Sequence, residues 1–84
     1  MYTIILSRAT EKDLNKISKK DKPNIFSALF DLKKEPLIGK KLKGKLQDCY
    51  SLRVSNYRII YKVYKKEVEI LIIRIGERQG IYNE

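Results

Sequence analysis

From Cys49 to Ile75 the chain reads as three consecutive stretches suited to extended backbone, parted by two short polar turns. In CYSLRV (49–54), Tyr50, Leu52 and Val54 alternate with Ser51 and Arg53. In YRIIYKVY (57–64), Tyr57, Ile59, Tyr61 and Val63 share one face, and Arg58, Ile60, Lys62 and Tyr64 share the other. Successive side chains of a strand point to opposite faces, so each stretch offers one apolar face to a core. Ser55-Asn56 has the length of a two-residue hairpin turn, and KKE (65–67) suits the next one. VEILIIRI (68–75) is almost wholly apolar, which suits a central strand covered on both faces. Three adjacent strands joined by short turns make an antiparallel meander, and whatever precedes them must cover its apolar face.

The first half of the chain supplies that cover. YTIIL (2–6) is a short β-branched run and reads as a strand. Thr10 followed by Asp13 has the form of a capping box, with Leu14 and Ile17 at helical spacing, so a helix is expected over about Thr10–Lys20. Asp21 suits the N-cap of a second helix with Pro23 in its first turn. Ile25, Phe26, Leu29, Phe30 and Leu32 form its apolar stripe, and Pro36 ends it. Residues 36–47, with two glycines and four lysines, read as a loop. The expected architecture is α+β, one domain over residues 1–84. It has two layers in the order β-α-α-β-β-β, with a helical hairpin packed on a twisted, mostly antiparallel sheet.

Composition narrows the chemistry. The chain of 84 residues has no histidine and one cysteine, Cys49. This excludes His-containing triads, a disulfide within the chain and a multi-cysteine metal cluster. Cys49 reads as a small buried residue rather than a nucleophile. No metal site and no cofactor is expected. The N-terminal apolar run is too short for a leader or a membrane span, and the lone thiol fits a reducing compartment, so a cytoplasmic location is expected. The net charge is +9 and is unevenly placed: residues 40–66 carry +8, residues 1–39 carry +3, and residues 67–84 carry −2. So concentrated a positive field suits a polyanionic partner.

Two of those cations have no packing reason to be where they are. With the turn at Ser55-Asn56, Val54 opposes Tyr57 and Arg53 opposes Arg58, on the face that also carries Ser51. Like charges directly opposite in a sheet destabilise it. Such a pair is most easily kept where an anion sits between its members.

The segments Leu42-Lys43-Gly44, Cys49-Tyr50-Ser51-Leu52-Arg53, Asn56-Tyr57-Arg58-Ile59-Ile60-Tyr61 and Gly76-Glu77-Arg78, with Tyr82 nearby, resemble the motifs of the RelE toxins in the RelE/ParE superfamily. The resemblance extends over the whole chain. It implies a toxin of a type II toxin–antitoxin system that cuts messenger RNA in the ribosomal A site and is held inactive by an acidic, RelB-like antitoxin in a hetero-oligomer. It implies catalytic positions at Arg53, Arg58, Arg78 and Tyr82. Ser51 stands where RelE toxins often have a lysine, and Glu77 where several relatives have a basic residue. Ribosome and messenger RNA are the expected partners, with no membrane. Beside these, Lys40, Lys41, Lys43, Lys45 and Lys62, together with Ser51, are expected to meet RNA, the lysines through sequence-independent phosphate contacts. The fold also suits the ParE branch, whose target is DNA gyrase, and a relative that binds antitoxin with weakened catalysis.

Overall fold

The computed structural model describes residues 1–77. Two helices, α1 (Arg8–Lys16) and α2 (Lys22–Lys34), pack on one face of a five-stranded sheet. The strands are β1 (Thr3–Leu6), β2 (Lys40–Lys41), β3 (Tyr50–Val54), β4 (Tyr57–Tyr64) and β5 (Glu69–Glu77), with spatial order β1-β5-β4-β3-β2. The pair β1–β5 is parallel and the other three are antiparallel. The expected two-layer α+β architecture is therefore the one observed, with a short β2 and a 3₁₀ turn (Gly44–Leu46) inside the segment expected to be loop.

The core lies between the helices and the apolar faces of β4 and β5. Ile25, Leu32, Ile59, Tyr61, Ile70 and Ile72 are fully buried there, joined by Ile17, Ala28, Leu29 and Ile75. The rings of Tyr50 and Tyr61 stack at 5.5 Å between centroids, tying β3 to β4 on this face. The Tyr61 hydroxyl accepts a hydrogen bond from the Gly39 N–H at 3.0 Å. A Cβ at position 39 would lie 2.5 Å from that hydroxyl and 3.0 Å from the Ser51 carbonyl oxygen, so glycine is required where the chain enters β2. β5 lies inside the sheet, between β1 and β4, as its apolar sequence suggests, but only its helix side is fully covered. Leu71 and Ile73 on this strand remain half-buried.

Both helices depart from their expected boundaries or faces. α1 starts at Arg8, capped by Ser7, whose hydroxyl accepts from the Thr10 N–H. Thr10 and Asp13 do not form a capping box; both are buried and turned to the sheet. β1 pairs with β5 only as far as Ile72, which leaves the next stretch of the β5 edge open. A bulge sits here, with Tyr61 opposite Ile72 and Ile60 opposite Arg74. α1 satisfies that edge with side chains. Thr10 Oγ1 donates to the Ile72 carbonyl, Ser7 Oγ donates to the Ile73 carbonyl, and Asp13 Oδ2 accepts the Ile75 N–H at 2.9 Å. Unpaired buried backbone groups are costly, and this demand overrides local capping. The helix also stops at Lys16, four residues earlier than expected.

In α2 the buried stripe is Ile25, Ala28, Leu29 and Leu32. Phe26 and Phe30, expected in the stripe, are 51% and 49% exposed. At 100° per residue they fall outside the arc centred on Ile25 and Leu32, and Lys34 lies 4.6 Å over the Phe30 ring. Asp21 occupies the N-cap position without making a side-chain cap. Its carboxylate instead accepts from the Ser18 and Tyr57 hydroxyls, which fastens the α1–α2 turn to β4.

Candidate functional site

The face of the sheet away from the helices carries the charged residues. Its geometry follows from strand register. Arg53 opposes Arg58, Ser51 opposes Ile60, and Val54 opposes Tyr57 beside the Ser55-Asn56 turn. Directly opposed residues point to the same face with Cα atoms about 4.5–5.5 Å apart. The two arginines are thus neighbours on one surface, Arg53 exposed and Arg58 half-buried.

β2 adds a residue that a loop assignment hides. Lys40 pairs with Ser51, so it shares the face of the arginines, while Lys41 pairs with Tyr50 and belongs to the other parity. A two-residue strand has no alternation to read, and only the close approach at Gly39 hints at it. Lys62 lies on the same face of β4 as Arg58 and Ile60, two residues beyond Ile60. Continuing the β3–β4 register by one step places Cys49 opposite Lys62. Ser51 therefore lies amid Lys40, Arg53, Arg58 and Lys62, contributed by three strands. Ser51, Cys49 and Ile60 at the centre are buried, Ser51 at 6% exposure.

Cations outnumber carboxylates on this face among the described residues, where Glu69 lies opposite Tyr64. Among the described residues, the salt bridge formed is Asp13 with Arg74, whose Nε lies 3.0 Å from Asp13 Oδ2. Arg74 lies opposite Ile60 on this same face, and its guanidinium also reaches Asp13 Oδ1 at 3.2 Å. That ties it to α1. Lys40, Arg53 and Lys62 form no ion pair among the described residues. The Cys49 thiol registers the surrounding charge. Burial pushes its pKa above the ordinary 9.0, the Lys62 ammonium pulls it down, and Asp48 pushes it up.

The remaining expected positions fall elsewhere. Lys41 is exposed on β2, Lys43 just before the 3₁₀ turn and Lys45 within it. Lys41 and Lys43 line an open depression of about 470 Å³ with Leu42, Gly44, Gln47 and Asp48. Arg78 and Tyr82 lie outside the described residues. Arrayed guanidinium and ammonium groups can hold phosphate oxygens, the arginines bidentately. Among the described residues no helix is long and apolar enough to cross a membrane.

Comparison with known proteins shows the same fold and a family. The family model described as "ParE toxin of type II toxin-antitoxin system, parDE" matches residues 4–82. Toxin RelG of Mycobacterium tuberculosis is 31% identical over 96% of this chain and 95% of its own. The mRNA interferase toxin RelE of Escherichia coli is 32% identical over 99% of this chain and 92% of its own. Among solved structures, a chain of the RelBE2 toxin–antitoxin complex from M. tuberculosis superposes with a TM-score of 0.76 at 30% identity, covering 92% of this chain and 98% of that one. The extent of these matches and the shared fold make this chain a RelE-type member of the RelE/ParE superfamily of type II toxin–antitoxin toxins.

Proposed function

We propose that this toxin is a ribosome-dependent endoribonuclease that cleaves messenger RNA in the A site without a metal. The observation that carries the reading is the registered Arg53–Arg58 pair on the face away from the helices. The name of the E. coli relative, an mRNA interferase, supports it. In this reaction the substrate's own 2′-hydroxyl attacks the neighbouring phosphorus in line and the 5′-oxygen leaves. The catalyst must align three atoms, stabilise charge accumulating on the phosphate, and move two protons.

Arg53 and Arg58 hold the non-bridging oxygens and stabilise that charge, and Arg78 assists the leaving group. Tyr82 is the base that takes the 2′-hydroxyl proton, or stacks on a nucleobase. A chain without histidine has few groups titrating near neutrality. Rate must come from positioning, and the ribosome supplies it by orienting the RNA. Lys41, Lys43 and Lys45 then contact ribosomal phosphates.

The cognate partner is an acidic RelB-like antitoxin whose binding neutralises the basic surface and occludes the site. The toxin–antitoxin complex among the structural neighbours supports that assignment. The deciding experiment is primer extension on a defined message in programmed ribosomes. Cleavage at A-site codons requires ribosomes, and Arg58→Ala lowers it by about 100-fold, the scale of losing one oxyanion donor. Equal cleavage of naked RNA, or an Arg58→Ala variant of full activity, would overturn the reading. Because the matching family model is described as ParE, gyrase inhibition is the second reading. A supercoiling assay in which the toxin acts on gyrase, with messages left intact, would favour it.

A further inference from the structure

The face of the sheet away from the helices holds more cation than one phosphate can use. The Arg53–Arg58 pair forms one end of it. Lys40 and Lys62 flank Ser51 from β2 and β4, and lie two to four residues further along the strands. At about 3.3 Å per residue, those rows stand roughly 7 and 13 Å from the arginine row. Lys40 and Lys62 are separated by two strand spacings and two residues along the strands, roughly 12 Å. That is a gap two long side chains can close over one anion.

Three features mark this pair as a site rather than a solvated surface. Both lysines share the face of the arginines, whereas Lys41, next in sequence, does not. Neither forms an ion pair with a carboxylate among the described residues. Lys62 is half-buried, although an ammonium without an anion gains by being fully solvated. Its charge is felt by the buried Cys49 thiol at the floor of the same patch.

We propose that Lys40 and Lys62 form a second phosphate seat on this face, which holds the phosphate adjacent to the scissile one as the strand runs from Arg53–Arg58 over Ser51. This deepens the nuclease reading and rests on it for the word scissile. The seat itself is a statement about RNA binding. In it the lysines are binding residues. They fix the register of the RNA and take no part in proton transfer.

The test separates the two claims. A labelled single-stranded RNA, made uncleavable by removing the 2′-hydroxyl at one position, is titrated with toxin by anisotropy over a range of salt. Removing one phosphate interaction with a single strand flattens the slope of log K against log salt by about 0.7. The double variant of Lys40→Ala with Lys62→Ala removes that one interaction and should flatten it by about 0.7, and each single variant by part of that amount. Lys34→Ala, on the helix layer, should leave the slope as it is. In the ribosome assay the double variant should raise KM roughly tenfold with kcat nearly unchanged, whereas Arg58→Ala lowers kcat.

Slopes flattened no more than by Lys34→Ala, or a wild-type toxin that does not bind the strand, would overturn the seat even if cleavage is normal. Flattened slopes with no cleavage by the wild type would support the seat while removing the nuclease reading.

Discussion

The two faces of the sheet are made by the same strands and obey opposite rules. On the helix side, Ile59, Tyr61, Ile70 and Ile72 are fully buried and packed together with α1 and α2. On the other side, alternate strand positions bring Arg53 against Arg58 and set Lys40 and Lys62 around Ser51. The first face lowers the free energy of the fold. The second sets like charges at neighbouring positions, an arrangement that by itself disfavours the fold. A binding surface for a polyanion is a surface that is poor when empty.

The contrast is sharpest where one residue separates the two faces. Ile59→Ala should cost about 4 kcal/mol of stability, since the side chain is fully buried and leaves a cavity. It should change RNA binding little at temperatures where the fold persists. Arg53→Gln should do the reverse. Stability should rise by about 0.5 kcal/mol as the opposed charge is removed, while ribosomal cleavage falls by about 100-fold. Urea unfolding and the cleavage assay on both variants decide it. An Arg53→Gln variant that is less stable and equally active would remove the idea that the arginine pair is kept for an anion.

The hinge between the faces is the edge of β5, where Asp13 accepts from the Ile75 N–H and from Arg74. Asp13→Ala removes a buried acceptor from both, and should cost about 3 kcal/mol by chemical denaturation. Asp13→Asn keeps an oxygen for the backbone N–H and should cost about half of that. Equal losses would mean that the charge of Asp13, rather than its place on the edge, matters.

Much of this is legible in the sequence. The meander and the Arg53–Arg58 register follow from side-chain alternation and one turn length, which are local. The polar role of α1 is not legible, because Thr10 and Asp13 answer to backbone groups about sixty residues away, beside a bulge that no local pattern announces. The outward Phe26 and Phe30 escape the sequence for a related reason. An apolar stripe wider than a core needs does not say which of its edges is buried. Lys40 is legible as a cation, and its face depends on a two-residue strand.

Each face also holds a buried ionisable group, and alkaline pH tests them together. Burial is the main cause that raises Tyr61 above 10.0, opposed by the Gly39 N–H. Burial likewise raises Cys49 above 9.0, opposed by Lys62. A group with a raised folded pKa contributes stability that is complete below its unfolded value and is lost as pH rises through the folded one. Urea midpoints should therefore be flat to about pH 8 and fall from about pH 9 upward. Cys49→Ala should remove the earlier part of the fall and leave the tyrosine part. Lys62→Ala should slow thiol modification at a given pH, because the cation that favours the thiolate is gone. A midpoint that rises through this range would reverse the sign of the argument.

The smallest effect concerns the turns that join the strands, one at each end of β4. Val68 has a φ of 55° and Ser55 a φ of 56°, both in the left-handed region. A β-branched residue there is strained by about 1–2 kcal/mol. The strain at Val68 has a structural setting: its N–H donates to the Lys65 carbonyl, and its own carbonyl accepts the Thr3 N–H at the start of β1. Its exposed side chain contributes little in return. Asparagine tolerates this region, so Val68→Asn should raise stability by about 0.5–1 kcal/mol with cleavage unchanged. Ser55→Asn should gain less, since serine lacks the branching that makes valine costly. It also sits one residue from the Val54–Tyr57 pair that sets the arginine register. Thermal midpoints of the two variants, measured side by side, rank the turns. A larger gain at Ser55 than at Val68 would show that strain is concentrated at the arginine end of the sheet, beside the proposed anion site.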